Sequence, residues 1–154
     1  MTKIISSTLL VAALAVNSVA YDTAKAENFN KFFGNFTQKA CADSKLFVKG
    51  EEVMKMLREN KKFTMLDIRT KGEASIVAVS SENGIYIPLK KLFDKKNLDT
   101  LPTDNPIVVV CHSGTRATIA AIGLKQLGFK KVHVLKGGLV ALSDAATPKN
   151  APMK

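Results

Sequence analysis

The ten residues 107–116 read IVVVCHSGTR, and this stretch decides the fold. Its first four residues are all β-branched, which predicts a strand buried on both faces and is typical of the centre of a parallel sheet. The chain then turns at Gly114 and continues into an alanine-rich helix predicted over residues 117–127, which Gly128 ends. A buried strand that runs through a short loop into a helix is the basic unit of an open α/β sheet.

The segments on both sides repeat this alternation of strand and helix. Strands are predicted at residues 46–48, 63–68, 85–87 and 132–134, with helices at residues 50–60, 89–93 and 138–143. We therefore expect one α/β domain over residues 44–145, an open parallel sheet with helices on both faces. Residues 146–154 contain two prolines and no periodicity, and we expect a flexible tail there.

Cys111 lies where the central strand ends, which is the edge at which open parallel sheets bind ligands. Its sulfur would lie at a helix N-terminus among loop N–H groups that have no partner in the helix, and these groups favour a nucleophilic thiolate. A buried structural cysteine is the alternative, but four residues including a glycine between Cys111 and Arg116 favour the nucleophile. The predicted anion-binding loop consists of His112, Ser113, Gly114, Thr115 and Arg116.

The composition limits the class of function. Lys and Arg number 23 against 13 Asp and Glu, a net charge of +10 that favours anionic substrates. Two cysteines cannot make a disulfide scaffold or a four-cysteine zinc site, and we predict neither a metal nor a cofactor. There is no Trp, and the lysines are spread along the chain, so nucleic-acid binding is not expected.

The N-terminus has the pattern of an export signal. Lys3 precedes an uncharged apolar run at residues 4–16, and Ser18-Val19-Ala20 is a signal-peptidase site. The run is short for a bilayer, which needs about 20 residues, so we predict a cleaved signal peptide over residues 1–20 and a periplasmic protein. Cleavage before Tyr21 is expected, with Glu27 as the alternative first residue.

The residues after the signal predict an amphipathic helix over residues 27–42. Its phenylalanines recur at helical spacing, and they must pack either on the domain or on a second subunit, which would make a homodimer. They are Phe29, Phe32, Phe33 and Phe36.

Three motifs resemble those of the rhodanese-type sulfurtransferases, in that family's order. Residues 111–116 resemble the active-site loop C-x-x-G-x-R, residues 65–69 (MLDIR) the early strand motif, and residues 135–138 (LKGG) the late element before the last helix. The resemblance extends roughly from Ser44 to Asp144. With the export signal and the N-terminal helix, the chain is also similar to small periplasmic polysulfide-sulfur transferases, whose helical extension serves in dimerisation.

The chain departs from the family pattern in three places. The family often has a His between its first two motifs, which residues 75–84 lack, and its late tryptophan is replaced by Leu142. Cys41 is outside the pattern. These changes concern packing more than the predicted site.

The resemblance implies an enzyme that transfers sulfur through a persulfide on Cys111. The donor would be thiosulfate or polysulfide, and the acceptor cyanide, sulfide or a thiol. Arg116 would orient the loop and the anion. Asp67 would pair with Arg116 or a loop N–H, or be purely structural, and Arg69 would bind the donor or remain a solvated surface residue. His112 would influence acceptor access, whereas His133 is expected to be structural.

Three other functions remain open at this stage. A phosphatase or arsenate reductase of related fold resembles C-x5-R, one residue longer than the spacing between Cys111 and Arg116. A non-catalytic sulfur carrier serving a respiratory enzyme would need the same persulfide. A redox sensor would need a disulfide between Cys41 and Cys111.

Overall fold

The computed structural model describes residues 20–79, 81–82 and 84–150. Of the predicted signal peptide, residues 1–19 lie outside the described residues. The described residues up to Asn35 form one compact unit, and the described residues from Phe36 onward form a second unit that holds the sheet.

Within the described residues, five parallel strands form one sheet. They are β1 (Phe47–Val48), β2 (Thr64–Asp67), β3 (Gly84–Tyr86), β4 (Ile107–Val110) and β5 (Val132–Leu135). Their order in the sheet is β1-β5-β4-β2-β3. The β-branched strand β4 is central and fully buried, as the sequence predicts. In the register of β2 against β4, Asp67 is opposite Val110, so the end of β2 lies beside the start of the Cys111 loop.

Helices cover both faces of the sheet, which confirms the predicted fold class. The described helices are α1 (Thr23–Phe33), α2 (Gln38–Asp43), α3 (Gly50–Arg58), α4 (Lys71–Ile76), α5 (Leu89–Leu92), α6 (Lys95–Leu98), α7 (Thr115–Gln126) and α8 (Gly138–Ala145).

Because successive side chains of a strand point to opposite faces, β4 serves two cores. Ile107 and Val109 pack with the buried face of α7, while Val108 and Val110 pack with α3 and α8.

The predicted helix over residues 27–42 is two helices in the structure, so this expectation is wrong in its boundaries. α1 ends at Phe33 and is followed by Gly34, a residue of low helix propensity. α2 then begins anew, because the hydroxyl of Thr37 caps it by accepting a hydrogen bond from the N–H of Ala40 at 3.1 Å. α1 also starts earlier than predicted, because the carboxylate of Asp22 caps it in the same way, with Lys25 as donor at 3.0 Å.

The described part of the predicted flexible tail, residues 146–150, contains a short helical turn. Residues Pro148–Asn150 form a 3₁₀ turn beyond α8. The side-chain amide of Asn150 donates to the carbonyl of Ala145 at 3.0 Å, and its oxygen accepts from Arg58 at 3.5 Å. These two bonds fasten the turn to α8 and α3.

No helix among the described residues is both long enough and apolar enough to cross a lipid bilayer.

Candidate active site

The sulfur of Cys111 completes the N-terminus of α7. The residue that caps this helix is Gly114, which has no side chain to accept a hydrogen bond from the first turn. Instead, the sulfur accepts from the N–H of Gly114 at 3.1 Å and from the N–H of Ala117 at 3.4 Å. Cys111 is only 1% exposed. A helix N-terminus with N–H groups aimed at the sulfur is an environment that stabilises negative charge on it.

The loop can approach α7 in this way because Gly114 has a φ of +99°, a left-handed conformation that favours glycine. α8 then supports the loop from the other side. The N–H of Leu139 donates to the carbonyl of Cys111 at 2.8 Å, and the N–H of Val140 donates to that of His112 at 3.3 Å. Gly138 brings α8 this close, since a Cβ on it would collide with both carbonyl oxygens. The motif LKGG therefore holds the loop in place.

Arg116 forms a bidentate ion pair with Glu73, a residue that the sequence analysis does not identify as part of the site. One guanidinium N–H₂ group donates to Oε2 at 2.9 Å and the other to Oε1 at 2.5 Å. Glu73 is itself held by the backbone N–H and the hydroxyl of Thr70, at 3.0 and 2.8 Å. Thr70 and Glu73 form the capping box of α4, and the pattern T-x-x-E at residues 70–73 is the sequence signal that could have located this carboxylate.

This pairing sets the charge next to the nucleophile. The hydrogen bonds from Arg116, followed by those from Thr70, hold the pKa of Glu73 far below its usual range. The Glu73 carboxylate in turn raises the pKa of Arg116. Burial lowers this pKa, and the sulfur of Cys111 raises it. The charge of the Arg116 guanidinium is therefore largely balanced by Glu73.

Asp67 and Arg69 pair with each other, so the expected pairing of Asp67 with Arg116 or with a loop N–H is not found. The carboxylate of Asp67 accepts from Nε of Arg69 at 2.9 Å, from Nη2 at 2.6 Å and from the backbone N–H of Arg69 at 3.0 Å. Arg69 is 2% exposed and is therefore no solvated surface residue. Its Nη2 also donates to the carbonyl of Val77 at 2.7 Å, and the hydrogen bond to Asp67 raises the pKa of Arg69. The pair joins the end of β2 to the end of α4.

The other predicted residues have simpler surroundings. His112, Ser113 and Thr115 are exposed at the rim of the loop. His133 lies in β5, and its Nδ1 is 2.7 Å from the carbonyl oxygen of Lys45, which is a structural contact. Cys41 is exposed on α2 and Cys111 is buried, and both are free thiols, so the disulfide that a redox sensor needs is not formed in this structure.

Two depressions flank the loop. We call the first the α4–α8 cleft: its volume is about 390 Å³ and it lies between Ile76 and Val77 on one side and Leu139 and Val140 on the other, with His112 at its edge. The second, the α7 groove, has a volume of about 410 Å³. It is lined by Phe47, Ser113, Thr115, Ile119 and Lys136. Among the residues that the structure describes, no group of three His, Cys, Asp or Glu side chains could hold a metal ion.

Comparison with known proteins agrees with this arrangement. The model of the rhodanese-like domain family matches residues 50–145. A sulfurtransferase of Allochromatium vinosum is 27% identical over 105 residues, which cover 68% of this chain and 94% of that protein. A probable adenylyltransferase/sulfurtransferase of Mycobacterium tuberculosis, MoeZ, is 29% identical over 97 residues, but these span 63% of this chain and only 24% of that protein.

The solved structure of the polysulfide-sulfur transferase homodimer of Wolinella succinogenes has the same fold, with a TM-score of 0.56 at 22% identity. The match covers 86% of this chain and 92% of that one. The family match over most of the sheet unit, the parallel sheet and the Cys111 loop at its carboxyl edge agree, and the chain belongs to the rhodanese-like domain family.

Proposed function

We propose that this protein is a sulfurtransferase that carries sulfane sulfur as a persulfide on Cys111. The observation that carries the proposal is the position of the Cys111 sulfur, which accepts hydrogen bonds from the N–H groups of Gly114 and Ala117 at the start of α7. Such donors favour the thiolate, which is the nucleophilic form of cysteine. The sulfurtransferase relatives support the same class of reaction.

The reaction proceeds in two displacements and needs no external oxidant or reductant. The Cys111 thiolate attacks the outer sulfur of the donor, a new S–S bond forms, and the donor's own bond to that sulfur breaks. The rest of the donor leaves with the electron pair, as sulfite from thiosulfate or as a shorter polysulfide. A thiophilic acceptor such as cyanide, sulfide or a thiol then attacks the terminal sulfur and releases the Cys111 thiolate.

We also propose that the protein is exported and acts as a homodimer. The export proposal rests on the signal-like residues 1–20, and amino-terminal sequencing of the native protein should then begin at Tyr21. The dimer proposal is supported by the transferase of Wolinella succinogenes, which is a homodimer. The structural match to it covers 86% of the present chain.

The nucleophile is tested by replacing Cys111 with Ser. Serine keeps a hydrogen-bond acceptor at the start of α7, but its hydroxyl is far less acidic than a thiol, so sulfur transfer should fall by about three orders of magnitude or more while the fold persists. Intact mass after incubation with polysulfide, and separately with thiosulfate, should show one added sulfur atom on the unmodified chain and none on Cys111→Ser. Cyanide should remove the added sulfur.

Cys41→Ser is the matched control, because Cys41 is exposed and outside the loop. It should take up sulfur as the unmodified chain does. Sulfur found on Cys41 instead of Cys111, or transfer retained by Cys111→Ser, would exclude Cys111 as the carrier. Repeated turnover with donor and cyanide separates a catalyst from a protein that only carries sulfur to a partner.

A further inference from the structure

The α4–α8 cleft is more apolar than a site for small inorganic anions requires. Its walls expose large aliphatic side chains next to the active-site loop: Ile76 is 84% exposed, and Val77 and Val140 are each 48% exposed. Leu139 adds to the same wall and is joined to the loop, because its N–H donates to the carbonyl of Cys111 at 2.8 Å. A volume of about 390 Å³ is at the small end of the range of pockets that bind small organic molecules, about 300–1,000 Å³.

The charges around this cleft are balanced. Arg69 is paired with Asp67 at 2.6 Å and Arg116 with Glu73 at 2.5 Å, so two guanidinium groups face two carboxylates. Of the described residues that line the cleft, none is a lysine. A dianion such as thiosulfate would lose part of its hydration in this cleft, and both guanidinium groups around it are already paired with carboxylates. Its binding in the cleft is therefore unfavourable. The positive net charge of the chain, which predicts anionic substrates, is thus not concentrated at this opening.

We infer that the α4–α8 cleft binds the organic group of a hydropersulfide, R–S–SH with a small aliphatic R, and that such a compound is a better sulfur donor than thiosulfate. The inference rests on the proposed function and adds the chemical class of the donor. A neutral hydropersulfide needs no unpaired cation, and its hydrocarbon part is what exposed aliphatic walls stabilise. Because Cys111 is 1% exposed, the outermost sulfur of the donor has to reach it while R remains in the cleft.

The transfer step is balanced without a co-reactant. The Cys111 thiolate attacks the outer sulfur, the new S–S bond forms, and the bond between the two donor sulfurs breaks. The leaving thiolate takes the proton that the outer sulfur carried and departs as R–SH. Cys111 is left as a persulfide anion. The Cys111 sulfur is oxidised while the donor's inner sulfur is reduced to the thiol, so no external oxidant or reductant is needed.

The test is the rate at which Cys111 is persulfidated, followed by rapid quenching and intact mass, with no acceptor present. The donors are thiosulfate and the methyl, ethyl, propyl and butyl hydropersulfides, released from stable precursors. Each CH₂ that the cleft buries should raise the second-order rate constant by up to about fourfold, and thiosulfate should be slower than the longer hydropersulfides.

Two isoleucines provide a matched pair of variants. Ile76→Thr removes part of the cleft wall, and Ile119→Thr makes the same change in the α7 groove, where Ile119 is 64% exposed. Both side chains are largely in solvent, so neither change should unfold the protein. Ile76→Thr should reduce the butyl-to-methyl rate ratio by about fivefold, and Ile119→Thr should leave it unchanged.

The outcomes separate this inference from the proposed function. Rates that do not depend on R, or a faster reaction with thiosulfate, overturn the inference while the proposed function stands, because Cys111 still becomes a persulfide. If the butyl-to-methyl rate ratio changes in Ile119→Thr and not in Ile76→Thr, the organic group binds in the α7 groove, and the assignment to the α4–α8 cleft is overturned. Failure of every donor to modify Cys111 overturns the proposed function itself.

Discussion

At the scale of single residues, Cys111 combines two roles that are usually separate. An N-terminal helix cap is ordinarily a Ser, Thr, Asp or Asn whose side chain accepts from the first turn. In α7 that position is Gly114, and the acceptor is the sulfur of Cys111, three residues earlier. The donors that complete the helix are therefore the same ones that hold the reactive atom, and the sulfur needs no dedicated binding group.

Glu73 should make stability depend on pH in the acid range. Its pKa is lowered in the folded protein from an ordinary value of 4.5, so folding is stabilised above pH 4.5, and this contribution is lost as the pH falls below it. Glu73→Gln retains the capping box but has no charge, so its unfolding free energy should depend less on pH. Because both side chains of the Arg116–Glu73 pair are 34% exposed, the difference should be about 1 kcal/mol or less.

Urea denaturation of both proteins at about pH 6 and about pH 3 measures this difference. An equal loss of stability in the two proteins would show that other carboxylates cause the acid sensitivity.

At the scale of elements, the approach of α8 to the active-site loop depends on Gly138. An alanine there would bring a Cβ within 2.6 Å of the carbonyl oxygen of Cys111, at a φ of +61°. Gly138→Ala should therefore push α8 away from the loop, lower sulfur transfer by at least about tenfold, and destabilise the fold by about 1–3 kcal/mol. Persulfidation rate and urea denaturation measure the two effects.

Gly128→Ala is the matched control for backbone strain. Gly128 has a φ of +100°, but a Cβ on it would meet nothing within 4 Å. It should lose about 1 kcal/mol of stability and keep the unmodified transfer rate. If both alanine variants transfer sulfur equally well, contact between α8 and the loop is not needed for the reaction.

The elements that the sequence predicts are those whose pattern is local. β4 is four β-branched residues in a row, and the loop after it has a glycine and an arginine at informative positions. The sequence does not predict α4, because its six residues, KGEASI, bury no side chain and show no apolar stripe. It does not identify Glu73 either, since the pairing with Arg116 links positions 43 residues apart that only the sheet brings together.

Arg69 shows the same limit at closer range. The sequence places it two residues after Asp67, but a strand would put both side chains on one face without deciding whether they are buried. The strand ends at Asp67, and the backbone N–H of Arg69 donates a hydrogen bond to the Asp67 carboxylate. This turn of the chain places the Arg69 guanidinium in the interior, against the same carboxylate. The direction of the chain just beyond a strand is set by tertiary packing, which residue types alone do not specify.

At the scale of the whole molecule, α1 differs from the helices around the sheet. None of its eleven residues is buried, and Phe29 and Phe33 are 45% and 46% exposed. Isolated helices shorter than about 12–15 residues are marginal in water, so a helix with this much exposed aromatic surface would gain stability from further apolar contacts. A second copy of the chain can supply such contacts, and the homodimer proposal therefore places the phenylalanines of α1 at the dimer interface.

The double change Phe29→Ser and Phe33→Ser should convert this dimer to a monomer. If each of the four rings in a pair of chains contributes about 1 kcal/mol by burying its exposed half, their loss should weaken dimerisation by about a thousandfold. Sedimentation of the chain beginning at Tyr21 should show a dimer. The double variant should sediment as a monomer and still transfer sulfur, since the Cys111 loop lies between β4 and α7 and contains no residue of α1. Leu127→Ser, 57% exposed at the end of α7, is the control and should remain a dimer. A chain that sediments as a monomer before any change would show that the phenylalanines of α1 do not join two subunits.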